Sequence, residues 1–173
     1  MDTREYNSCV KQYSDILYRF AMQYIPDTAM AEDLVQDSFV HLWQHREKTT
    51  REQAKSFLFI VARNQLVSHY RHEEVRRRYV EDLPDTDRHE SGSRQFEMKD
   101  VLQKTLSRIP EVQKEVLLLR DWEGFAYKEI AEITRLSEQQ VMVYLFRART
   151  AMRKHLEAEG YHFEASSLTK KAK

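Results

Sequence analysis

The sequence predicts an all-α protein made of two small helical domains that are joined by a flexible acidic linker, with a helix-turn-helix in the C-terminal domain. Three observations lead to this fold class. Glycine and proline, which interrupt helices, occur only three times each in 173 residues. Apolar residues recur at steps of three and four in both halves of the chain, the period of a helix with one buried face. One polar stretch, residues 81–95, separates the two halves.

Composition excludes several classes of protein. The single cysteine, Cys9, has no second thiol to pair with, and its place in an apolar pattern predicts a small buried side chain. No stretch approaches the roughly 18 apolar residues that span a bilayer, and the first residues lack the apolar core of a signal peptide. We therefore expect a cytoplasmic protein that is not embedded in a membrane.

Charge is balanced in total but not along the chain. The 28 Lys and Arg residues equal the 28 Asp and Glu residues, which at first argues against a nucleic-acid-binding protein. Counted by segment, however, the net charge is +4 for residues 51–80, −4 for 81–100 and +3 for 136–173. Because charges act on phosphate over a Debye length of about 8 to 10 Å, local basic segments matter more than the total.

The first domain, residues 1–80, contains three predicted helices, of which the first ends at Pro26. Its apolar stripe is Cys9, Tyr13, Ile16, Leu17, Phe20, Ala21 and Tyr24. Asp27 or Thr28 is expected to cap the second helix, and its first turn is expected to be acidic. Its apolar positions are Leu34, Val35, Phe39, Leu42 and Trp43. Its polar face is Glu32, Asp33, Gln36 and Asp37.

The third predicted helix follows a polar stretch, residues 45–53. An apolar run over residues 57–62 predicts that the helix is buried at its start, and Arg76–Arg78 make its end basic. We expect Phe57, Phe59 and Ile60 in the core. Tyr70, at the end of the apolar run, is equally suited to packing in the core and to stacking on a base.

The second domain, residues 96–160, follows the linker at residues 81–95 and precedes a basic tail at 161–173. Its first helix is indicated by residues at helical spacing, Phe96, Val101, Leu102, Thr105, Leu106 and Ile109. Pro110 suits the first position of the next helix, which is expected to run to about Trp122 and to be broken at Gly124.

A helix-turn-helix is predicted for the remainder of this domain. A short helix over 127–133 and a long one over 137–159 are separated by a three- to four-residue turn, and Gly160 can end the second. Ser137 and Gln140 have the spacing of a capping box. The buried set is expected to be Ile130, Ala131, Leu136, Val141 and Leu145. The outward face is expected to be Gln139, Gln140, Val143, Tyr144 and Arg147.

The outward face has the chemistry to read a DNA major groove. Gln pairs with adenine, Arg with guanine or phosphate, and apolar groups with the thymine methyl. Arg149, Arg153 and Lys154 suit contacts to phosphates. An ordinary helical hairpin with a solvated polar face is about equally compatible with the spacing alone.

Several dispersed motifs resemble the extracytoplasmic-function (ECF) class of the bacterial sigma-70 family. In the first domain these are Ala31–Phe39, Leu42–Trp43, Phe57–Leu58 and Ala62–Asn64. In the second they are Leu106–Pro110, Val116–Arg120, Glu123–Ile133 and Arg147–Arg149. The resemblance covers nearly all of residues 13–156, and the motifs occur in the order that this family has.

The resemblance implies an alternative-type sigma factor that binds core RNA polymerase, through its clamp and flap, and directs it to promoter DNA. An anti-sigma factor is a further implied partner. The first domain would melt the minus-ten element and the second would read the minus-thirty-five element. Implied polymerase-binding residues are Glu32, Asp33, Gln36 and Asp37. Implied minus-ten residues are Arg63, Asn64, Ser68, His69, Arg71 and His72, together with the preceding loop. Implied minus-thirty-five residues are Gln139, Gln140, Val143, Tyr144, Arg147, Arg149 and Arg153.

Three departures from the family pattern fall in the helix-turn-helix. Arg135 stands where many members have Gly, and a positive φ there costs about 1 kcal/mol or more. Residues 142–144, Met-Val-Tyr, replace a more polar run, and Phe146 replaces a frequent His. Both changes favour readout of thymine methyl groups or DNA shape. The acidic linker suits either a polymerase channel that otherwise holds nucleic acid or a solvated tether.

Other functions have less support. The pairs His41/His45 and His69/His72 lack a third ligand, so we expect no metal; nor do we expect a cofactor or enzymatic activity. The alternative to a polymerase subunit is a stand-alone DNA-binding regulator that binds its operator unaided, often as a dimer.

Overall fold

The computed structural model describes residues 1–79 and 94–161, with side chains described for 1–69 and 100–161. These residues form seven α-helices and one π-helical turn, and no strand is present among them. The chain divides into two compact units. Among the described residues, the first unit comprises 1–79 with 131–135 and the second comprises 94–130 with 136–161. We describe the helices by their order in the sequence, as a first lobe within residues 1–79 and a second lobe within 94–161. The predicted all-α class is confirmed.

The first lobe consists of three helices that pack against one another: α1 (Thr3–Ala21), α2 (Thr28–Gln44) and α3 (Arg51–Tyr79). Its core is aromatic and aliphatic, and the ring of Phe20 lies 5.0 Å from that of Phe59. The buried apolar residues are Cys9, Leu17, Phe20, Ala21, Ile25, Ala31, Leu34, Val35, Phe39, Leu42, Ala54, Leu58, Phe59, Ala62 and Leu66. Phe59 is therefore core as expected, whereas Phe57 and Ile60 are only half-buried.

Asp2 and Asp27 cap the first two helices, and several helix ends in the first lobe differ from the prediction. α1 begins at Thr3, with Asp2 and Glu5 forming a capping box, and it ends at Ala21, before Pro26. Asp27 caps α2, so Glu32 and Asp33 lie beyond its first turn, and the prediction of an acidic first turn was wrong. α3 begins inside the stretch expected to be a loop, at Arg51.

The second lobe contains α4 (Arg94–Ser107), α5 (Glu111–Leu117), α6 (Tyr127–Thr134) and α7 (Glu138–Ala158). A π-helical turn, Leu118–Trp122, continues α5 without a break. α4 and α5 both pack against α7. The buried apolar residues of this lobe are Leu106, Ile109, Val116, Leu117, Leu118, Leu119, Phe125, Ile130, Ile133, Val141, Leu145, Ala148 and Leu156. Ala131 and Leu136, which the pattern placed in the core, are half-buried.

Boundaries in the second lobe shift by one or two residues. α4 includes Arg94 and Gln95, which the sequence assigned to the linker, and Pro110 is the N-cap of α5 rather than its first residue. The rest of the predicted linker and residues 162–173 of the predicted tail lie outside the described residues. Within the described part of the chain, no helix is long and apolar enough to cross a membrane.

Candidate functional site

The acidic face of α2 is formed by Glu32, Asp33, Gln36 and Asp37, and all four side chains are exposed. The opposite face of the helix is formed by buried residues, among them Ala31, Leu34 and Leu42. The four polar groups therefore cannot turn inward. The sequence-predicted polymerase-binding residues thus lie together on one solvent-facing surface, as spacings of three and four residues require.

An aromatic group extends this surface towards the end of α2. Trp43, which the pattern placed in the buried stripe, is 36% exposed, and Val40 is 50% exposed. The guanidinium of Arg46 lies 4.1 Å from the centre of the Trp43 ring and donates to the Trp43 carbonyl at 2.9 Å. The ring of Tyr6 also lies against Trp43, with the two ring centres 4.9 Å apart. Val40 was not predicted on this face, and Trp43 was predicted to be buried. The apolar pattern of one helix does not show which apolar residue lies at the exposed edge of the buried stripe.

The loop before α3 is shorter than expected, residues 45–50. Thr49 is buried and donates to the His45 carbonyl at 3.0 Å, while the His45 ring lies 5.5 Å from that of Phe57. Thr50 and Gln53 bond to each other's backbone N–H groups, at 3.4 and 3.1 Å, and so cap α3. The Thr-x-x-Gln spacing was the sequence signal that would have located this helix start.

The sequence-predicted minus-ten residues lie along α3. Asn64 and Ser68 are exposed, four residues apart on one side of the helix. Arg63 and His69 are half-buried and flank that side. Arg71 and His72 lie on the same helix, but their side chains fall outside the described residues. The structure therefore brings two of the six side chains onto an open helix face.

The outward face of α7 is partly apolar. Gln139, Val143, Arg147 and Arg153 are exposed, whereas Tyr144 is half-buried. Two residues that the sequence marked as apolar departures from the family pattern join them: Met142 is 48% and Phe146 is 72% exposed. Gln140 uses its Oε1 to accept from the Ser137 N–H at 2.8 Å, which confirms the predicted capping box and occupies the amide oxygen.

Arg149 differs from the other predicted contacts of α7. Its guanidinium donates twice to the Asp121 carboxylate, with Nε 3.0 Å from Oδ2 and Nη2 bonded to Oδ1. Hydrogen bonding to Asp121 raises the pKa of Arg149 above its ordinary value. Asp121 lies 28 residues away in sequence, so no local pattern indicated this pair.

The turn between α6 and α7 has the strained backbone that the sequence suggested. Arg135 has a φ of 60°, in the left-handed region that favours glycine. Elsewhere in the described residues, positive φ is found only at Gly124 and Gly160. In the same described residues, no three His, Cys, Asp or Glu side chains come together as metal ligands would.

Two helical lobes, one with an exposed acidic helix and one with a helix-turn-helix, have the arrangement expected of a two-domain initiation factor of the sigma type. Family models bear this out: Sigma-70 region 2 matches residues 9–76 and Sigma-70, region 4 matches residues 99–152. The chain is 30% identical to the ECF RNA polymerase sigma factor SigM of Bacillus subtilis over 146 residues, covering 83% of this chain and 90% of that protein.

A further sequence relative and two solved structures are similar to the chain. The chain is 28% identical to the ECF RNA polymerase sigma factor SigL of Mycobacterium tuberculosis H37Rv, with 86% and 87% of the two chains covered. The sigma factor RpoE, solved with the anti-sigma factor NepR from Bartonella quintana, matches with a TM-score of 0.74 at 22% identity, over 91% of this chain and 99% of that chain. CnrH, solved with the cytosolic domain of CnrY, matches with a TM-score of 0.67 at 24% identity, over 91% of both chains.

The chain belongs to the ECF sigma factors of the sigma-70 family. Its regions 2 and 4 assign it to promoter-directed initiation of transcription, and the family consists of initiation factors rather than enzymes. The expectation from the resemblance is confirmed at this level, and the stand-alone regulator is the weaker alternative.

Proposed function

We propose that this chain binds core RNA polymerase through the acidic face of α2 and carries it to promoters that its two lobes read separately. The observation that supports this most is the exposure of Glu32, Asp33, Gln36 and Asp37 on one face whose reverse side is buried. Val40 and Trp43 add an apolar edge to the same face, and interfaces commonly combine an aromatic residue with a polar surround.

The proposed domain roles follow the predicted boundaries: residues 1–80 for polymerase binding and minus-ten melting, 96–160 for the minus-thirty-five element, with 81–95 between them. On α3, the exposed amide of Asn64 and hydroxyl of Ser68 are suited to receive an unstacked base. Arg63, His69, Arg71 and His72 complete the proposed minus-ten set on the same helix.

On α7, Gln139, Val143 and Arg147 are the central groups of the proposed minus-thirty-five contact, with Gln140, Tyr144 and Arg153 at its edges. Phe146 and Met142 give this face an apolar character, which favours contacts with thymine methyl groups over a dense set of hydrogen bonds. We place Arg149 outside this set because its guanidinium is bonded to the Asp121 carboxylate.

An anti-sigma factor is the proposed regulator, because the similar RpoE was solved in complex with one. We propose that the chain acts in the cytoplasm, where RNA polymerase and promoter DNA are found, and that it catalyses no reaction itself and needs no cofactor.

Reconstitution with core RNA polymerase tests the proposal. The wild-type chain should direct run-off transcription from a cognate promoter. Asp37→Lys should weaken binding to core polymerase by about tenfold or more, since the new Lys would face the basic surface that an acidic helix face is expected to bind. Asp15→Lys, the same change at an exposed site on α1, is the matched control and should leave binding unaltered. Tight operator binding by the free chain without polymerase would overturn the proposal.

Arg147 gives a second test at the promoter. Arg147→Ala should weaken minus-thirty-five binding by the holoenzyme, and the slope of log K against log salt should fall by about one if a phosphate contact is lost. Glu138→Ala, on the same helix, is the control for a general effect of truncation. An unchanged slope would remove Arg147 from the phosphate contacts.

A further inference from the structure

The π-helical turn at the end of α5 carries two adjacent charged side chains that reach different helices. A π-helical turn places one extra residue in each hydrogen-bonded ring and is frequent at functional sites. Here the N–H groups of Glu123 and Phe125 bond back to the carbonyls of Leu118 and Leu119, at 3.1 and 3.0 Å. Gly124, with φ of 72°, then turns the chain towards α6.

Arg120 bonds to the segment before α6 and contacts the first residue of that helix. Its Nη1 donates to the Phe125 carbonyl at 2.7 Å, and its guanidinium lies 4.8 Å from the centre of the Tyr127 ring, at the first residue of α6. Arg120 therefore bonds within the segment that leads from the π-helical turn into the first helix of the helix-turn-helix.

Asp121 reaches the second helix instead. It accepts both bonds from Arg149, which lies near the middle of α7, three residues after the exposed Phe146 and two after Arg147. A bidentate pair fixes both the distance and the direction between its two groups. Because Arg149 and the outward face belong to one rigid helix, this pair limits both rotation and sliding of that face.

We propose that Asp121 and Arg149 form a positioning pair that orients α7 for reading the minus-thirty-five element. This inference rests on the proposed role of α7 in promoter binding, and it pairs Arg149 with the π-helical turn rather than with a DNA phosphate. Asp121 then contributes to promoter selectivity without touching DNA.

Asp121→Asn separates the two roles of Arg149. A phosphate contact predicts tighter promoter binding, whereas a positioning role predicts weaker discrimination between promoter sequences. If Arg149 contacts phosphate, the substitution frees its guanidinium and removes a negative charge, so holoenzyme binding should become tighter. If the pair positions α7, the same substitution should reduce selectivity for the minus-thirty-five sequence.

The experiment is run-off transcription by reconstituted holoenzyme from a cognate promoter and from versions with single substitutions in the minus-thirty-five element. The ratio of the two rates is the readout, since a loss of folded protein lowers both rates equally and leaves the ratio unchanged. We expect Asp121→Asn and Arg149→Met each to lower the ratio about fivefold. The double variant should be no worse than either single one, and Arg149→Lys should recover part of the loss.

The ion pair between Arg108 and Glu159 provides a matched control at the other end of α7. These groups are 3.7 Å apart and exposed, so Glu159→Gln removes a carboxylate charge from an α7 contact as Asp121→Asn does. It should leave the ratio unchanged. An unchanged ratio in Asp121→Asn, additive losses in the double variant, or tighter binding would each overturn the positioning role.

Hydrogen exchange of the free chain tests the pair without any promoter. Asp121→Asn should speed exchange of the amides around Arg149 more than those of α1, while Glu159→Gln should not affect them. If wild-type holoenzyme showed no promoter-directed transcription, the proposed function would fail, and unchanged exchange in Asp121→Asn would still refute the pair on its own.

Discussion

The two lobes reach a defined shape by different physical means. The first lobe consists of three long helices whose aromatic and aliphatic faces pack against one another, with Phe20 and Phe59 in direct ring contact. In the second lobe, three of the four helices, α4, α5 and α6, are shorter than any helix of the first. It also has a π-helical turn and a left-handed residue at Arg135, and polar side chains join its elements. Packing of large apolar surfaces defines the first lobe, and local backbone geometry with directed bonds defines much of the second.

This difference matches the task proposed for each lobe. A docking and melting surface needs a rigid support beneath exposed groups such as Asp37 and Asn64, and a tightly packed core provides it. A recognition helix also needs a defined angle, because a small rotation moves every side chain on its outward face. Bonds such as those of Asp121 to Arg149 are directional, which apolar packing is not.

The largest predicted effect is the loss of core packing in the first lobe. Phe59→Ala should lower the free energy of unfolding by about 3 to 5 kcal/mol, because the ring is fully buried and its removal leaves a cavity. Trp43 in a Trp122→Phe background reports this lobe during urea unfolding. Phe146→Ala, which removes an exposed ring, should change stability by less than about 0.5 kcal/mol, as followed by Trp122 in a Trp43→Phe background. Equal losses for the two rings would end the contrast between buried and exposed aromatics.

The first lobe could be predicted from sequence in most respects because helical periodicity is a local property. Leu17 and Phe20 recur at the spacing of a buried stripe in α1, Phe59 falls in the apolar run of α3, and all three are in the core. The ends of the helices were harder to predict, since the capping pair Thr50 and Gln53 lies in a polar stretch that resembles a loop. Exposure at the rim, as for Trp43, depends on neighbouring helices and not on the helix itself.

In the second lobe, the motif could be predicted but not the bonds that join its parts. The Ser137–Gln140 capping box and the turn at Arg135 depend on residues close in sequence, and both were foreseen. The partner of Arg149 was not, because Asp121 is brought to it only by the packing of α5 on α7. Sequence alone therefore suggested a phosphate contact for a side chain that the structure shows already bonded.

The second prediction concerns the strained turn of the second lobe. Arg135→Gly should raise stability by about 0.5 to 1 kcal/mol, since relief of the left-handed conformation exceeds the added entropy of the unfolded chain. Urea unfolding followed by Trp122 in the Trp43→Phe background measures the change. Arg135→Ala keeps the strain and removes the side chain, so it should not stabilise. If the Ala variant gained as much as the Gly variant, the charge and not the backbone would be responsible.

The smallest effect is a pH dependence that differs in sign between the lobes. In the first lobe, burial raises the pKa of Cys9, Tyr6 and Tyr13 above their ordinary values. The unfolded chain then releases these protons first, so the stability of this lobe should fall as the pH rises above about 8.5. In the second lobe, burial lowers the pKa of Lys114, so its folded form releases a proton first and stability should rise with pH up to the ordinary lysine value.

The two single-tryptophan backgrounds separate these trends, because Trp43 reports the first lobe and Trp122 the second. Between pH 8 and about 10, the urea midpoint should fall for Trp43 and should hold or rise for Trp122. The changes are small because Tyr6 and Tyr13 remain partly exposed in the folded lobe, where water still solvates the charged form. Cys9→Ala should weaken the fall and Lys114→Met should abolish the rise. Parallel curves in both backgrounds would show that burial of these groups does not distinguish the lobes, and the contrast would then rest on packing and directed bonds alone.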